Sequence, residues 1–324
     1  MFQYIIRRLL WSVVMIVLVL ALVFAIFFVL PGGAGKESES GYPPLALMIA
    51  GKNLTPAHIE DVIEHYQLDQ PVWEQFSSYL ANALQGDLGY SFFSDESVTP
   101  AILQRLPATV SLAVGASVIW LVVGVSIGVL SALRRRSIFD RAAMTFALIG
   151  LSLPTFWLGI VAIFFFDSNL EIYDTGTYVS IFENPITWFK ALWLPWLVLA
   201  FVSMAVYSRM VRGNVLEVQQ EDYIRTARAK GLRERSVIRH QLRSALTPVV
   251  TMYGLDLGIL LGGAVVTEYI FSIPGIGRFA VAAIYDQNLP VILGTTVFAA
   301  AFVIIANLIV DVVYAWLDPR VTYS

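Results

Sequence analysis

The stretch "EDYIRTARAKGLRERSVIRHQLRSALTP" (Glu221–Pro248) is a basic interruption in a chain that is otherwise largely apolar. Of the 324 residues, 57% are hydrophobic and only 14% are charged, whereas a soluble domain carries about a quarter charged residues. This composition indicates an integral membrane protein, so a basic stretch of this length must lie on one surface of the bilayer. Because the chain has no cysteine, disulfides and thiolate metal sites are excluded.

Six apolar stretches each have a length close to the roughly 20 residues that a membrane helix needs. They are Leu9–Leu30, Leu106–Leu133, Ala142–Phe166, Leu192–Tyr207, Pro248–Ile270 and Pro290–Leu317. The fourth is the shortest and contains Pro195. Pro154 in the third is tolerable, because neighbouring helices can satisfy the backbone groups that a proline leaves free. We therefore expect an all-α integral membrane fold with six transmembrane helices.

The placement of basic residues predicts the orientation of these helices, because such residues collect in cytoplasmic loops. Arg7 and Arg8 precede the first stretch, Arg134 to Arg141 lie between the second and third, and the residues from Arg209 to Arg243 separate the fourth from the fifth. The alternate loops are poor in basic residues. The pattern predicts an N-in/C-in topology, which places Glu221–Pro248 in the cytoplasm.

Three regions follow from this topology. Residues 1–30 hold the cytoplasmic N-terminus and the first helix, residues 31–105 form an extracytoplasmic segment, and residues 106–324 form a five-helix core that includes the cytoplasmic loop 209–247. The outer segment is predicted to be partly helical. Thr55 is a helix N-cap residue before Pro56, and Val72–Leu84 repeats the amphipathic pattern. These helices have two possible roles, to cap the bundle or to dock an external partner.

Neither a nucleotide site nor a metal site is predicted. "PGGAGKES" (Pro31–Ser38) is similar to a phosphate-binding loop but has Leu30 where the motif needs glycine, and Glu37 where it needs serine or threonine. Any ATP-driven work must then come from another subunit. His58, Asp61 and His65 share a helix face that could hold a divalent ion, but a solvated helix face is the favoured interpretation.

Polar residues within the apolar stretches are candidates for function, because they are costly to place in lipid. Asp256, Glu268 and Asn307 are predicted to line a polar pathway, whereas Asp311 lies near an inner helix end and could pair with a cytoplasmic arginine instead. Asp256 and Asp311 could also form the catalytic pair of a membrane enzyme, but no accompanying motif supports that alternative. Gly124 and Gly128 predict a close helix-packing face.

The opening stretch itself predicts two helices and a turn. Glu221 and Asp222 suit the first turn of a helix, Glu221 can pair with Arg225 four residues on, and Gly231 suits the left-handed position that ends it. Val237, Ile238 and Leu242 form an apolar ridge on the second helix. Such a hairpin could lie on anionic lipid, serve only as a topological loop, or dock a cytoplasmic protein. The small residues Ala227 and Ala229 favour docking, because lipid binding favours bulky apolar anchors.

"DYIRTARAKGL" resembles the cytoplasmic loop of membrane subunits of ATP-binding-cassette importers, in the dipeptide/oligopeptide/nickel permease branch. "YLANALQGDLGYSF", "RLPATVSLA", "LLGGAVVTEYIFSIPGIGR" and "NLIVDVVYAWLDPR" resemble the same branch, so the resemblance extends over nearly the whole chain. It implies that the loop holds a coupling helix, which enters a cleft of the ATP-hydrolysing subunit. The positions implied in coupling are Glu221, Asp222, Tyr223, Arg225, Thr226, Ala227, Arg228, Ala229, Lys230 and Gly231. The wider superfamily has Glu-Ala-Ala where this chain has Arg225-Thr226-Ala227, so no role of that glutamate is carried over.

The resemblance also implies the partners. They are a second homologous permease subunit, two ATP-binding subunits that carry ATP and Mg, and an extracytoplasmic solute-binding protein. This chain would be a multi-pass cell-membrane permease with no cofactor, no enzyme activity and no nucleic-acid partner. Dipeptides or oligopeptides are the expected cargo, with nickel chelates or oligosaccharides as alternatives. An ion-driven secondary transporter is the rival interpretation, but the sequence shows no internal repeat, and the basic loop would have no role in it.

Overall fold

The computed structural model describes residues 2–30, 41–51 and 54–317, with side chains for residues 6–30, 41–51, 54–250, 252–254, 256, 260 and 264–308. The expected all-α architecture is confirmed. The helices in chain order are α1 (Phe2–Phe24), α2 (Pro44–Ala50), α3 (Pro56–Tyr66), α4 (Val72–Leu84), α5 (Val98–Ile119), α6 (Val125–Leu133), α7 (Ile138–Ser152), α8 (Thr155–Ile163), α9 (Pro185–Val218), α10 (Asp222–Ala229), α11 (Glu234–Ala245), α12 (Thr247–Ile270), α13 (Ile276–Tyr285) and α14 (Leu289–Leu317).

Shorter elements complete the described chain. Three π-helical turns extend α1 (Ala25–Val29), join α5 to α6 (Trp120–Gly124) and extend α8 (Phe164–Asn169). An antiparallel hairpin of two short strands, β1 (Tyr90–Ser91) and β2 (Glu96–Ser97), precedes α5. The phosphate-loop-like stretch Pro31–Ser38 lies outside the described residues.

Helices occupy all six of the predicted apolar stretches. Within the described residues, four are long and apolar enough to cross a membrane alone: Ile6–Val29, Val98–Leu133, Pro185–Val218 and Leu289–Leu308. The bent α7–α8 pair is a possible fifth membrane span. α12 covers Pro248–Ile270, the fifth apolar stretch predicted from the sequence.

The third predicted span is not one continuous helix, and the fourth is longer than predicted. α7 and α8 meet at an angle of 101°, because Pro154 has no amide hydrogen and holds Leu153 in an extended conformation (φ −96°, ψ 126°). Pro195 has no such effect. It lies buried inside α9, whose 34 residues continue on both sides of the predicted boundaries.

The described residues form two compact units, one made of residues up to Thr109 with Pro274–Ala315, and the other of Val110–Ile273 with Trp316 and Leu317. In the first unit the C-terminal end of α1 packs against the helices of the segment after it. Phe24 stacks on Phe28 at 4.7 Å between ring centroids, and Phe76 and Tyr79 of α4 lie against this pair. Burial raises the pKa of Tyr79 to about 12. The two predicted amphipathic helices are confirmed, and their apolar faces cover the helix bundle of this unit.

Other details of this segment differ from the prediction. Thr55 occupies the N-cap position of α3 but makes no side-chain cap hydrogen bond. The histidine face is not wholly solvated: His58 and His65 both contact the edge of Phe92, and His58 Nε2 is buried without a hydrogen-bond partner in the described part of the chain. Among those same residues no group of three potential ligands is placed to hold a metal ion.

In the second unit α9 is the helix against which the others pack. Gly115, Gly124 and Gly128 bring α5 and α6 into close contact with it. A Cβ atom added at Gly115 would lie 2.1 Å from the Trp196 ring, and one at Gly128 would lie 2.6 Å from the Ser208 carbonyl oxygen. The packing face predicted at Gly124 and Gly128 is therefore confirmed, and Gly115 extends it.

Candidate functional site

The predicted cytoplasmic hairpin is present as α10, a tight turn and α11. α10 runs from Asp222 to Ala229, inside the predicted segment Glu221–Gly231, and Glu221 is its N-cap residue. The Leu232 amide donates to the Ala227 carbonyl, and the Gly231 amide donates to the Arg228 carbonyl. This pair of bonds is the Schellman arrangement that closes a helix when the residue after the cap is left-handed. Gly231 has φ +70°, as predicted.

α10 is attached to the rest of the chain by one apolar side chain and is otherwise largely uncovered. Ile224 is fully buried, whereas Asp222, Arg225, Thr226, Ala229 and Lys230 are exposed. The Tyr223 hydroxyl donates to Ser244 Oγ at 2.9 Å, which fixes α10 against α11. An eight-residue helix held from one side presents a narrow polar surface with small residues at its end, a shape that fits a groove on another protein.

The ion pairs of the hairpin differ from the predicted one. Arg225 lies 3.5 Å from Asp222 rather than pairing with Glu221, and both partners are exposed, so the pair contributes little to stability. Arg228 Nη2 donates to Glu234 Oε1 at 3.0 Å across the turn. This second contact joins the end of α10 to the start of α11.

The side chains that anchor α11 were only partly predicted. Val237, Gln241 and Ala245 are the buried face, whereas the predicted Ile238 and Leu242 are only half-buried. Gln241 Nε2 donates to the Val215 carbonyl of α9 at 2.8 Å, and Asn214 Nδ2 donates back to the Ala245 carbonyl at 3.3 Å. The hairpin is therefore bonded in both directions to the last turns of α9, from which it emerges.

A polar cluster lies within the spans of the second unit. The Tyr207 hydroxyl donates to Asp256 Oδ2 at 2.6 Å, and the Tyr253 hydroxyl donates to Ser117 Oγ at 3.1 Å. The Trp120 ring contacts both tyrosines, and its buried Nε1 has no hydrogen-bond partner within the described ranges. Tyr207 and Trp120 are buried, but Asp256 is partly exposed, as a group that faces an aqueous path would be.

Glu268 does not join this cluster, and Asn307 is described within its own unit. Glu268 lies on the same helix as Asp256 but three turns away, about 18 Å along the axis, and it is fully buried. Asn307 belongs to the first unit, and its Oδ1 is buried without a partner in the described part of the chain. The side chain of Asp311 lies outside the described residues, so the proposed Asp256–Asp311 pair does not have a described geometry.

Comparison with known proteins gives one family for the whole chain. The family model for binding-protein-dependent transport system inner membrane components matches residues 124–323, and the model for the N-terminal part of such components matches residues 1–113. Dipeptide transport system permease protein DppB of Escherichia coli (strain K12) is 37% identical over 348 residues, and oligopeptide transport system permease protein AppB of Bacillus subtilis (strain 168) is 38% identical over 331 residues. Both alignments cover 100% of each chain. A Brucella abortus (strain 2308) protein, provisionally named a peptide transport system permease, is 39% identical over 99% of each chain.

Proposed function

Because the chain belongs to the family of binding-protein-dependent transport system inner membrane components, we propose that it couples ATP hydrolysis by partner subunits to the import of short peptides. It is a multi-pass permease subunit of an ATP-binding-cassette importer in the cell membrane. The family and the relatives are permease subunits rather than ATPases. ATP would therefore be hydrolysed on partner subunits, and this chain would convert their closure into movement of its membrane helices.

The uncovered surface of α10 is the single observation that carries the coupling role. Ile224 is the single buried side chain of α10. Because isolated helices of this length are unstable in water, so few contacts do little to stabilise α10 on its own. Most residues that the resemblance implies in docking are exposed on α10 and at its end, whereas Ala227 is half-buried. The exposed ones are Asp222, Tyr223, Arg225, Thr226, Arg228, Ala229 and Lys230. We propose that this surface enters a cleft of an ATP-binding subunit, and that closure of the ATPase pair around ATP and Mg pulls on it.

Contacts along α9 are consistent with spans two to five of the proposed six-crossing topology, in which both termini lie in the cytoplasm. Asp140 at the start of α7 lies beside Arg212, and Phe166 after the bend lies beside Trp193. These α9 residues are 19 positions apart (212 − 193), about 29 Å along a helix and close to the thickness of the hydrocarbon core. The bent α7–α8 pair therefore extends along as much of α9 as a straight span would, which supports treating it as one crossing.

The neighbours of α9 alternate in direction as that topology requires. Ser111, Gly124 and Gly128 meet Trp196, Tyr207 and Val211 in the same order, so α5–α6 runs parallel to α9. α12 runs antiparallel to it: Asp256 lies beside Tyr207, and Tyr173 contacts both Trp193 near the start of α9 and Phe271 just after the end of α12. Spans two and four then run inward and spans three and five outward. On this topology α10 is cytoplasmic.

The complete importer would contain a second homologous permease subunit, two ATP-binding subunits and an extracytoplasmic solute-binding protein. The ATP-binding subunits would bind ATP, and this chain would line the pathway of the transported substrate. Asp256 is the proposed contact point along it, because a partly exposed carboxylate within the spans faces either water or a partner. Peptides are the proposed cargo because the relatives are named as dipeptide and oligopeptide permeases. Nickel chelates and oligosaccharides are the alternatives within the same branch.

Purification of the tagged chain from its own host's membranes, followed by mass spectrometry, tests the assembly. We expect an ATP-binding protein, a second six-span protein and a solute-binding protein in the same particle. Uptake by proteoliposomes that hold this particle then tests the cargo, with labelled dipeptide, nickel chelate and oligosaccharide compared at equal concentrations. A chain recovered reproducibly alone, with uptake that follows an ion gradient and not internal ATP, would contradict the proposal in favour of a secondary transporter.

A further inference from the structure

One carboxylate at the start of α7 receives hydrogen bonds from three other parts of the second unit. Arg212 of α9 donates from Nε to Asp140 Oδ1 at 2.6 Å and from Nη2 to Oδ2 at 2.9 Å. Ser131, near the end of α6, donates from Oγ to Oδ1 at 2.6 Å, and the Arg136 amide donates to Oδ2 at 2.8 Å. Each oxygen of the Asp140 carboxylate thus accepts two hydrogen bonds. This cluster of Ser131, Arg136, Asp140 and Arg212 is termed the α6–α7–α9 joint.

The joint is a buried, directional contact rather than a surface ion pair. The side chain of Asp140 is only 5% exposed and that of Arg212 is 25% exposed. Two parallel N–H···O bonds fix the orientation of both groups as well as their distance, which a single lysine contact cannot do. Removal of Arg212 leaves the buried Asp140 charge with hydrogen bonds from Ser131 and the Arg136 amide alone and without an opposite charge beside it. The contact therefore joins α7 to α9 through two residues that are 72 positions apart in sequence.

The backbone around the joint is shaped to present these donors. The turn between α6 and α7 places Arg136 at φ +65°, a left-handed conformation that non-glycine residues adopt rarely. Ser137 then caps α7, because its Oγ accepts a hydrogen bond from the Asp140 amide. The turn thereby directs the Arg136 amide at the carboxylate, so the connection between α6 and α7 is itself part of the joint.

The joint includes a residue of α9 that lies shortly before the α10–α11 hairpin begins. Arg212 precedes Asn214 and Val215, the two residues of α9 that bond α11, by less than one turn. α9 continues without a break from Arg212 to Val218, and α10 begins four residues later. A displacement of α10 and α11 therefore reaches Arg212 through a continuous helix, and it reaches α6 and α7 through Asp140.

We propose that the Asp140–Arg212 pair is a positioning contact of the transport cycle, which passes the displacement of α10 to α6 and α7. α7 ends at the 101° bend at Pro154. A force on its N-terminal end, where Asp140 lies, therefore rotates α7 about that bend and need not move α8 equally. The inference rests on the proposed function, because it takes α10 to be the element that the ATPase moves. It adds the route by which the motion enters two spans that α10 does not belong to.

The test uses the complete importer in proteoliposomes, with basal ATPase activity, stimulation by the cargo-loaded binding protein, and uptake measured together. Asp140→Asn and Arg212→Gln each break the pair, and the double variant removes both charges. Arg209→Gln is the matched control, because Arg209 has the same charge one turn earlier on α9 and is exposed. We expect the pair variants to assemble and keep basal ATPase activity within about two-fold, while stimulation and uptake fall at least ten-fold.

Milder variants keep the test decisive if the charge variants do not assemble. Arg212→Lys retains the charge but not the parallel bonds, and Ser131→Ala retains the ion pair but removes one donor. We expect both to assemble and to lose several-fold of the stimulation without a matching loss of basal activity. Normal stimulation in assembled pair variants or in both mild variants would overturn the proposal, as would equal losses of basal and stimulated activity, which indicate a structural role alone.

The same measurement separates failure of this inference from failure of the proposed function. A wild-type particle whose ATPase activity does not respond to a cargo-loaded binding protein would contradict the proposed function itself. A particle that responds normally, loses its response through Gly231→Pro in the α10 turn and keeps it in all five variants of the joint would retain the proposed function and reject only this inference.

Discussion

The side-chain amide of Gln241 donates a 2.8 Å hydrogen bond to the backbone carbonyl of Val215, and so joins α11 to the last turn of α9. Gln241 is 1% exposed, and Val215 is followed by only three more residues of its helix. The bond therefore lies at the base of the hairpin. It ties the hairpin to α9, as the proposed transmission of motion from an ATPase to the membrane helices requires.

Replacement of Gln241 should loosen the hairpin. Gln241→Leu removes the donor of this bond, while the Val215 carbonyl keeps its bond from the Gln219 amide, so the loss is that of one hydrogen bond, about 0.5–1.5 kcal/mol. We expect trypsin to cut after Arg239 or Arg243 at least several-fold faster than in the parent chain, because the cut requires local opening. His240→Leu is the control, because His240 is the residue directly before Gln241 on α11 and is exposed. Equal cleavage rates for the two variants would show that the bond does not hold the hairpin.

Gly231 should tolerate asparagine but not a β-branched residue. A Cβ atom at this position meets nothing within 4 Å, so the cost comes from the positive φ alone, about 1–2 kcal/mol for an ordinary residue. Asparagine occupies this conformation more readily. We expect Gly231→Val to reduce cargo-stimulated ATPase activity of the assembled importer severalfold, and Gly231→Asn to retain most of it. If both variants behave alike, the left-handed turn does not control coupling.

The glycines of α6 and α9 should respond in opposite ways to the same substitution. Gly128→Ala places a methyl group 2.6 Å from the Ser208 carbonyl and 2.8 Å from Val211 Cβ, an overpacking that costs about 1–3 kcal/mol. Gly213→Ala meets nothing within 4 Å and should gain about 0.5–1 kcal/mol of helix propensity. Thermal unfolding of the two purified variants in the same detergent measures this difference. A Gly128→Ala variant as stable as Gly213→Ala would contradict the close packing of α6 on α9.

Asp256 should affect uptake more than assembly. Asp256→Asn keeps an oxygen that can accept from Tyr207 but removes the charge, so a role in a polar path predicts uptake at least ten-fold slower with the importer intact. Tyr207→Phe removes the hydrogen bond and keeps the carboxylate, and we expect a smaller loss. Uptake by Asp256→Asn at the rate of the parent would remove Asp256 from the pathway.

The amino-acid sequence predicted what depends on local pattern. The all-α membrane fold follows from runs of apolar residues, the amphipathic helices α3 and α4 from their periodicity, and the left-handed Gly231 from its place after a helical pattern. Gly124 and Gly128 were predicted as a packing face because small residues four apart share one side of a helix.

The sequence did not predict what depends on distant partners. Pro154 and Pro195 look alike in sequence, yet one breaks its span and the other lies within a continuous helix, because the surrounding helices decide whether the backbone is satisfied. Gln241 was overlooked because a polar residue on an amphipathic helix is usually exposed. The carboxylate of Asp140 and the guanidinium of Arg212 are 72 residues apart, and nothing in either local pattern connects them.

Site-directed cross-linking of α10 to the ATP-binding subunit tests the coupling role most directly. The chain has no cysteine, so Ala229→Cys, in the exposed part of α10, introduces the only reactive thiol of this subunit. With a short photoactivatable linker on that thiol, we expect cross-links to the ATP-binding subunit in the assembled importer, with a yield that changes when ATP and Mg are bound. The same linker on Arg135→Cys, at an exposed position in the α6–α7 turn, is the position control. Cross-links from position 229 only to lipid or to this chain itself, in an importer that hydrolyses ATP and takes up cargo, would contradict the coupling role of α10.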